Sequence, residues 1–68
     1  MRYNLINARK KAHLTQKELG ELMGVSDRHI NSLENGTSYG SVPLWERLRE
    51  LFGIPIDSLL EQTERRAT

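Results

Sequence analysis

Residues 27–35 carry the side chains of this sequence that are best suited to chemistry, because their polar members recur at helical spacing. At about 100° per residue, the polar members fall within roughly 140° of one helix face: Asp27, Arg28, Asn31, Ser32 and Asn35. Ile30 and Leu33 lie on the opposite side, with His29 at the edge. Such side chains read base edges in the major groove of DNA: arginine binds guanine, asparagine binds adenine, and aspartate accepts from the cytosine amino group. On this pattern alone, an ordinary solvated face is the alternative.

A second helical pattern precedes this one and ends at a glycine turn. Three apolar residues at i, i+3 and i+4 form a stripe that we expect to be buried: Leu19, Leu22 and Met23. Gly24 can adopt the positive φ at which a helix stops, and Val25 is expected to turn inward. Ser26 is a good N-cap for the next helix, which Gly36 ends. This layout predicts a helix-turn-helix, whose second helix can lie in the major groove.

The rest of the chain predicts three further helices and no strand, so we expect an all-α fold, a compact five-helix domain. The first helix is expected over about residues 2–12, with Leu5 and Ala8 facing inward. Thr15 is followed three residues later by Glu18, which predicts a capping box at the start of the second helix.

The fourth and fifth helices are predicted in the C-terminal half. Ser41 is expected to cap the fourth helix, with Pro43 tolerated in its first turn and Gly53 ending it. Pro55 opens a short fifth helix. Trp45 keeps the helical period of the fourth helix, which indicates a core residue rather than a platform for a ligand.

The composition limits the chemistry that is possible. Sixty-eight residues without cysteine form no disulfide, and His13 and His29 are too few for a zinc module. The sequence contains no nucleophile–base pair, metal cluster or phosphate-binding glycine loop, so we expect neither an enzyme nor a cofactor. It contains no membrane span or signal peptide, which favours a cytoplasmic protein. We expect the domain to occupy residues 1–61, followed by a polar, frayed tail over residues 62–68.

The charges are balanced in number but uneven in position. Ten basic and nine acidic residues give a net charge of +1. Basic side chains cluster near the predicted helix-turn-helix: Arg9, Lys10, Lys11 and Lys17. Acidic side chains lie in the C-terminal half: Glu46, Glu50, Asp57, Glu61 and Glu64. Such a division would orient the domain on an anionic partner.

Several motifs recur along the chain at a characteristic spacing. They are Asn-Ala-Arg-Lys-Lys at 7–11, Leu-Thr-Gln-Lys-Glu-Leu at 14–19, Leu-Met-Gly-Val-Ser at 22–26, Leu-Glu-Asn-Gly at 33–36 and Gly-Ile-Pro-Ile-Asp-Ser-Leu-Leu at 53–60. Together they resemble the Cro/repressor-type (XRE-like) helix-turn-helix family of phage and bacterial transcription regulators. The resemblance covers about residues 5–60. It implies a sequence-specific regulator of transcription, in particular a repressor, that binds duplex DNA.

The resemblance and the side-chain chemistry together suggest two sets of DNA contacts. Base edges are expected to be read by Asp27, Arg28, Asn31 and Ser32. Backbone contacts are expected from Arg9, Lys10, Gln16, Lys17, Asn35, Thr37 and Ser38. Arg28 is the best base reader, because it can donate two parallel hydrogen bonds to guanine. For each lysine, a solvated surface charge is the alternative. The resemblance also implies that Arg9 pairs with Glu34, bridging the first helix and the end of the third.

Three positions depart from the family pattern. Asp27 stands where a neutral or basic side chain is expected, and this puts the usual reading of bases in question. Thr37 stands where the family often has lysine or arginine, which lowers the expected electrostatic affinity for DNA. His13 stands where glycine is common, so we expect a left-handed backbone conformation that histidine tolerates better than most residues.

A homodimer is expected, because one module buries too little surface for tight specific binding, whereas two modules can bind half-sites about 34 Å apart. The dimer surface is expected after the third helix, at Tyr39 and Leu44, or in the fifth helix around Ile56 and Leu60. Two other functions stay open. One is an antitoxin-type autoregulator that also binds a toxin protein. The other is a protein-binding scaffold that has lost its DNA affinity, which Asp27 and the balanced charge favour.

Overall fold

The computed structural model describes residues 1–62, and the predicted tail beyond Gln62 lies outside the described residues. Helices occupy α1 (Tyr3–Lys11), α2 (Gln16–Met23), α3 (Asp27–Asn35), α4 (Val42–Phe52) and α5 (Ile56–Leu60). No strand occurs in the described range, so the prediction of an all-α, five-helix fold is confirmed. The first helix is one residue shorter at each end than predicted, within the usual variation of helix termini.

The starts of three helices follow from their capping residues. The Thr15 hydroxyl accepts from the backbone N–H of Glu18 at 3.0 Å, and the Glu18 carboxylate accepts from the Thr15 N–H at 2.9 Å. This is the predicted capping box. Ser26 and Ser41 accept hydrogen bonds in the first turns of α3 and α4, as predicted. Each cap satisfies a backbone donor that the helix itself leaves unpaired.

The turn between α2 and α3 depends on a close approach at Gly20, which is buried within α2. A Cβ atom at Gly20 would lie 2.6 Å from the carbonyl oxygen of Val25. The Val25 N–H also donates to the Gly20 carbonyl at 2.8 Å. Gly24, between them, has the left-handed conformation predicted for the end of α2, with a φ of 76°. Because Gly20 has no side chain, the turn packs directly on α2 and fixes where α3 begins.

The turn between α1 and α2 confirms a second backbone prediction. His13 has a φ of 60° and is, among the described residues, the one non-glycine residue with a positive φ. A histidine in the left-handed region is uncommon but tolerated. It gives the chain the reversal that glycine provides at this position in the family.

All five helices contribute to one hydrophobic core. Its buried members are Leu5, Leu19, Met23, Ile30, Leu33, Leu44, Trp45, Leu48 and Leu59. The prediction that Trp45 belongs to the core is therefore confirmed. The prediction that Leu22 is buried is wrong, since Leu22 is 53% exposed. The buried face of α2 is centred on Met23, and Leu22 lies about 100° away around the helix, outside that face.

Arg2 is buried beneath the ends of α3 and α5, although the sequence suggested only that it begins the first helix. Its side chain is 1% exposed in total surface terms. Its guanidinium donates to the carbonyl oxygens of Leu33 and Ser38, both at 2.7 Å, and to that of Leu60 at 3.2 Å. The rings of Tyr39 and Trp45 lie over the same group, with centroids at 5.8 and 5.2 Å. Arg2 therefore connects the chain start to the ends of two helices.

The charge of Arg2 has no carboxylate partner among the described residues. Burial lowers the pKa of the Arg2 guanidinium, while the Tyr39 hydroxyl raises that pKa and so acts in the opposite direction. The three carbonyl oxygens and the two ring faces supply the negative potential that water would otherwise provide. A cation is also favoured at helix C-termini, where the backbone carbonyl dipoles point outward.

We expect Arg2→Met to lower the free energy of unfolding by about 2 kcal/mol or more, because three carbonyl groups lose a charged donor. In a domain of this size that corresponds to a fall in Tm of about 8–16 °C. Thermal and urea unfolding followed by circular dichroism measure the change. Arg47→Met is the matched control, since Arg47 is exposed and donates one hydrogen bond, to the Met23 carbonyl. Equal losses in the two variants would contradict the role given to Arg2.

Candidate nucleic-acid interface

The outward face of α3 carries the predicted row of polar side chains. Asp27, Arg28, Asn31 and Asn35 are exposed, and Ser32 is half-buried. On the opposite face, Ile30 and Leu33 are fully buried. His29 lies between the two classes of burial, as its angular position indicates. The amphipathic division predicted for this helix is therefore confirmed.

The side chains on this face differ in whether they already have partners. Within the described part of the chain, no group pairs with the Asp27 carboxylate or the Arg28 guanidinium. The amide nitrogen of Asn35, by contrast, donates to the amide oxygen of Asn31 at 2.6 Å. Arg28 therefore keeps all its donors for an external ligand, whereas the two asparagines form a linked pair.

A buried carboxylate, Glu34, connects α3 to the two preceding helices. Arg9 of α1 donates to it from Nε at 2.6 Å and from Nη2 at 3.3 Å. Gln16 of α2 donates its amide to the same carboxylate at 2.9 Å. The side chains of Arg9 and Glu34 are 12% and 3% exposed, so this is an interior ion pair. The Arg9–Glu34 pair implied by the family resemblance is confirmed.

Two of the predicted backbone contacts belong to this buried cluster. Arg9 uses its third nitrogen, Nη1, to donate to the Leu14 carbonyl at 2.8 Å, so its guanidinium is already engaged on three sides. Gln16, the first residue of α2, keeps one amide N–H and its amide oxygen for another partner. The cluster brings Arg9 and Gln16 to the last turns of α3. Their contact with DNA stays a prediction.

The remaining backbone candidates are at or near the surface. Thr37 is exposed and donates to the Ser32 carbonyl at 3.3 Å, directly after α3. Ser38 is half-buried, and its hydroxyl accepts from the Gly40 N–H at 3.3 Å. Lys10 and Lys17 are exposed on α1 and α2, and no hydrogen bond within the described residues brings either of them to the α3 face.

The predicted dimer surface is only partly available. Tyr39 is 79% exposed in the loop after α3. Leu44 is 5% exposed, so the prediction that it forms a dimer surface is wrong. It lies on the same inner face of α4 as Trp45 and packs into the core of the monomer. Ile56 and Leu60 are partly buried against that core.

Sequence reasoning missed two features of this region. Arg2 gave no signal, because its partners are backbone carbonyl groups up to 58 positions away, and every residue type carries a carbonyl. The Asn31–Asn35 hydrogen bond did have a signal, since residues four apart on a helix are neighbours. Its consequence for reading bases was not drawn from the spacing.

Comparison with known proteins agrees with this geometry. A family model described as Helix-turn-helix matches residues 5–59, a range that includes α2, the turn and α3. No curated protein and no solved structure matches the chain. In the described range, the longest helix has 11 residues, and none is long and apolar enough to cross a membrane.

We expect a double-mutant cycle between Arg9→Ala and Glu34→Ala to show coupling of about 0.5–3 kcal/mol in unfolding free energy. Arg9→Ala alone should cost about 3–5 kcal/mol, because it leaves a carboxylate buried without its cation. The exposed Asn4–Glu61 hydrogen bond, at 3.2 Å, provides a control cycle, for which we expect less than about 0.5 kcal/mol. Coupling near zero for the buried pair would mean that it does not hold α3 to α1.

Proposed function

The chain belongs to the Cro/repressor-type helix-turn-helix family of DNA-binding transcription regulators, and from that premise we propose that it is a repressor. It binds a short two-fold operator as a homodimer and places α3 in the major groove of each half-site. The observation that carries the proposal is the exposed polar face of α3, with an unpaired Arg28, on a helix whose other end is anchored by Glu34.

In this proposal the side chains divide by function. Base edges are read by Asp27, Arg28, Asn31 and Ser32. Backbone contacts come from Lys10, Gln16, Lys17, Asn35, Thr37 and Ser38, with Arg9 acting chiefly through Glu34. The exposure of Arg28 and the position of Thr37 directly after α3 support this division. Tyr39, on the exposed loop that follows, is the proposed centre of the dimer contact.

An antitoxin-type autoregulator is the second candidate, and the exposed Leu22 favours it. Leu22 and Leu14, with Glu18 and Glu21, line a shallow depression of about 290 Å³ on α2. An exposed apolar side chain beside a depression is a feature of protein-binding surfaces. A scaffold without DNA affinity, the third candidate, has the weak support of Asp27 and the nearly balanced charge.

Selection of binding sites from random duplexes at a stated salt concentration separates these functions. A repressor should select a sequence with two-fold symmetry and half-sites about 34 Å apart, and bind it as two copies per duplex. Its affinity should fall as salt rises. An antitoxin should do the same and also form a complex with a partner protein that Leu22→Asp weakens. A scaffold would select no sequence and show no salt-dependent binding.

We expect Arg28→Ala to cost about 1–3 kcal/mol of binding free energy on the selected site and to relax the preference at one base pair per half-site. Lys17→Ala should instead weaken binding to all sequences and reduce the salt dependence by about one unit per contact. Titrations over a salt series measure both effects. Arg49→Ala, which removes an exposed cation from α4, is the control for charge alone. Equal losses for Arg28→Ala on selected and random DNA would make Arg28 a phosphate contact.

Asp27→Asn should raise the affinity for random DNA and narrow the advantage of the selected site. The carboxylate is exposed in the first turn of α3, where the helix dipole favours it in the free protein. In the groove it meets phosphate charge and is satisfied only by a cytosine amino group, so incorrect sequences are penalised more than the correct one. Parallel titrations with selected and random duplexes test this. Unchanged affinity for both would show that Asp27 does not face the groove.

A further inference from the structure

One hydrogen bond joins two side chains on the outward face of α3. The Asn35 amide nitrogen donates to the Asn31 amide oxygen at 2.6 Å, and both residues are exposed. They are four positions apart, so the bond follows the helix axis. An asparagine amide has a carbonyl oxygen that accepts and a nitrogen with two donor hydrogens. The bond engages the oxygen of Asn31 and leaves both of its N–H groups free.

Building on the proposed function, we infer that Asn35 is a positioning residue for Asn31. It fixes the amide of Asn31 so that the N–H groups, rather than the oxygen, are presented to the base in the major groove. Asn31 then acts as a double donor. Its specificity is set by its neighbour on the helix as well as by its own side chain.

The polarity of the amide decides which base Asn31 prefers. Guanine presents two adjacent acceptors in the major groove, N7 and O6, which suit a double donor. Adenine presents N7 and a donor, the N6 amino group, so its bidentate contact needs the asparagine oxygen as an acceptor. That oxygen is already engaged by Asn35. Asn31 therefore favours guanine over adenine, contrary to the usual pairing of asparagine with adenine.

The same bond couples reading of the base to contact with the backbone. The Asn35 amide nitrogen uses one hydrogen on Asn31 and keeps a second one. A phosphate oxygen that accepts this second hydrogen would hold Asn35 in the position that orients Asn31. A backbone contact, which by itself carries no sequence information, would then influence the choice of base.

Three variants at position 35 test the inference by changing what Asn31 finds there. First, Asn31→Ala identifies the base pair whose preference it abolishes, and four duplexes are made that differ at that pair alone. The wild type should favour guanine. Asn35→Ala releases the Asn31 oxygen and should shift the guanine-to-adenine affinity ratio towards adenine by about threefold to tenfold, the scale of one matched polar contact.

Asn35→Asp gives the sharper result, because a carboxylate can only accept. It should draw the Asn31 N–H groups towards itself and turn the Asn31 oxygen to the groove, where adenine and cytosine offer amino donors. Its added negative charge lowers affinity for all duplexes alike, so the ratios among the four are compared. Asn7→Asp, an exposed asparagine on α1, is the control for charge and should leave those ratios unchanged.

The outcomes separate this inference from the proposed function. Identical base ratios for the wild type, Asn35→Ala and Asn35→Asp would overturn it, as would a wild-type preference for adenine at that pair. If Asn31→Ala affects no base pair, the inference fails while a selected operator still supports the repressor. If the wild type selects no sequence at all, the proposed function itself fails. Circular dichroism of each variant confirms that α3 is intact.

Discussion

The buried carboxylate of Glu34 is the constraint on which the placement of α3 depends. A carboxylate withdrawn from water must be paired, because leaving it alone costs several kcal/mol, on the order of 3–5. Glu34 also lies near the C-terminal end of α3, where the helix dipole disfavours negative charge. Its partners come from α1 and α2, through Arg9 and Gln16. The carboxylate is therefore satisfied only when these three helices have their native arrangement.

Arg2 holds the same end of α3 from another direction. Its backbone N–H donates to the Glu34 carbonyl at 2.8 Å, and its side chain donates to the carbonyls of Leu33 and Ser38. One buried anion and one buried cation thus anchor the last turn of α3, each through different partners. The first turn is positioned by local features instead: the Ser26 cap and the close packing of the turn on Gly20. Both ends of the proposed reading face are fixed before any ligand binds, which limits the entropy lost on binding.

The sequence predicted what local chemistry and periodicity determine. The capping box at Thr15, the end of α2 at Gly24 and the left-handed His13 all depend on residues close in sequence, and all three are confirmed. The burial of Leu22 and Leu44 depends on how whole helices pack, and there the predictions were wrong. The Arg9–Glu34 pair was expected from family resemblance, since nothing in its spacing of 25 residues indicates a contact. Whether the site residues bind DNA is a property of a complex, and neither the sequence nor the free domain determines it.

The internal use of charge changes how the composition should be interpreted. The sequence contains ten basic residues, but Arg2 is enclosed by carbonyl groups and Arg9 is neutralised by Glu34. Neither is free to release counterions from DNA, and Thr37 supplies no cation where the family often has one. Electrostatic attraction, which is independent of sequence, should therefore be weak for this domain. Its affinity must depend more on hydrogen bonds from the α3 face, where Arg28 is unpaired and Asn31 is oriented by Asn35. A small regulator built in this way gives up general affinity for DNA and gains discrimination between sequences.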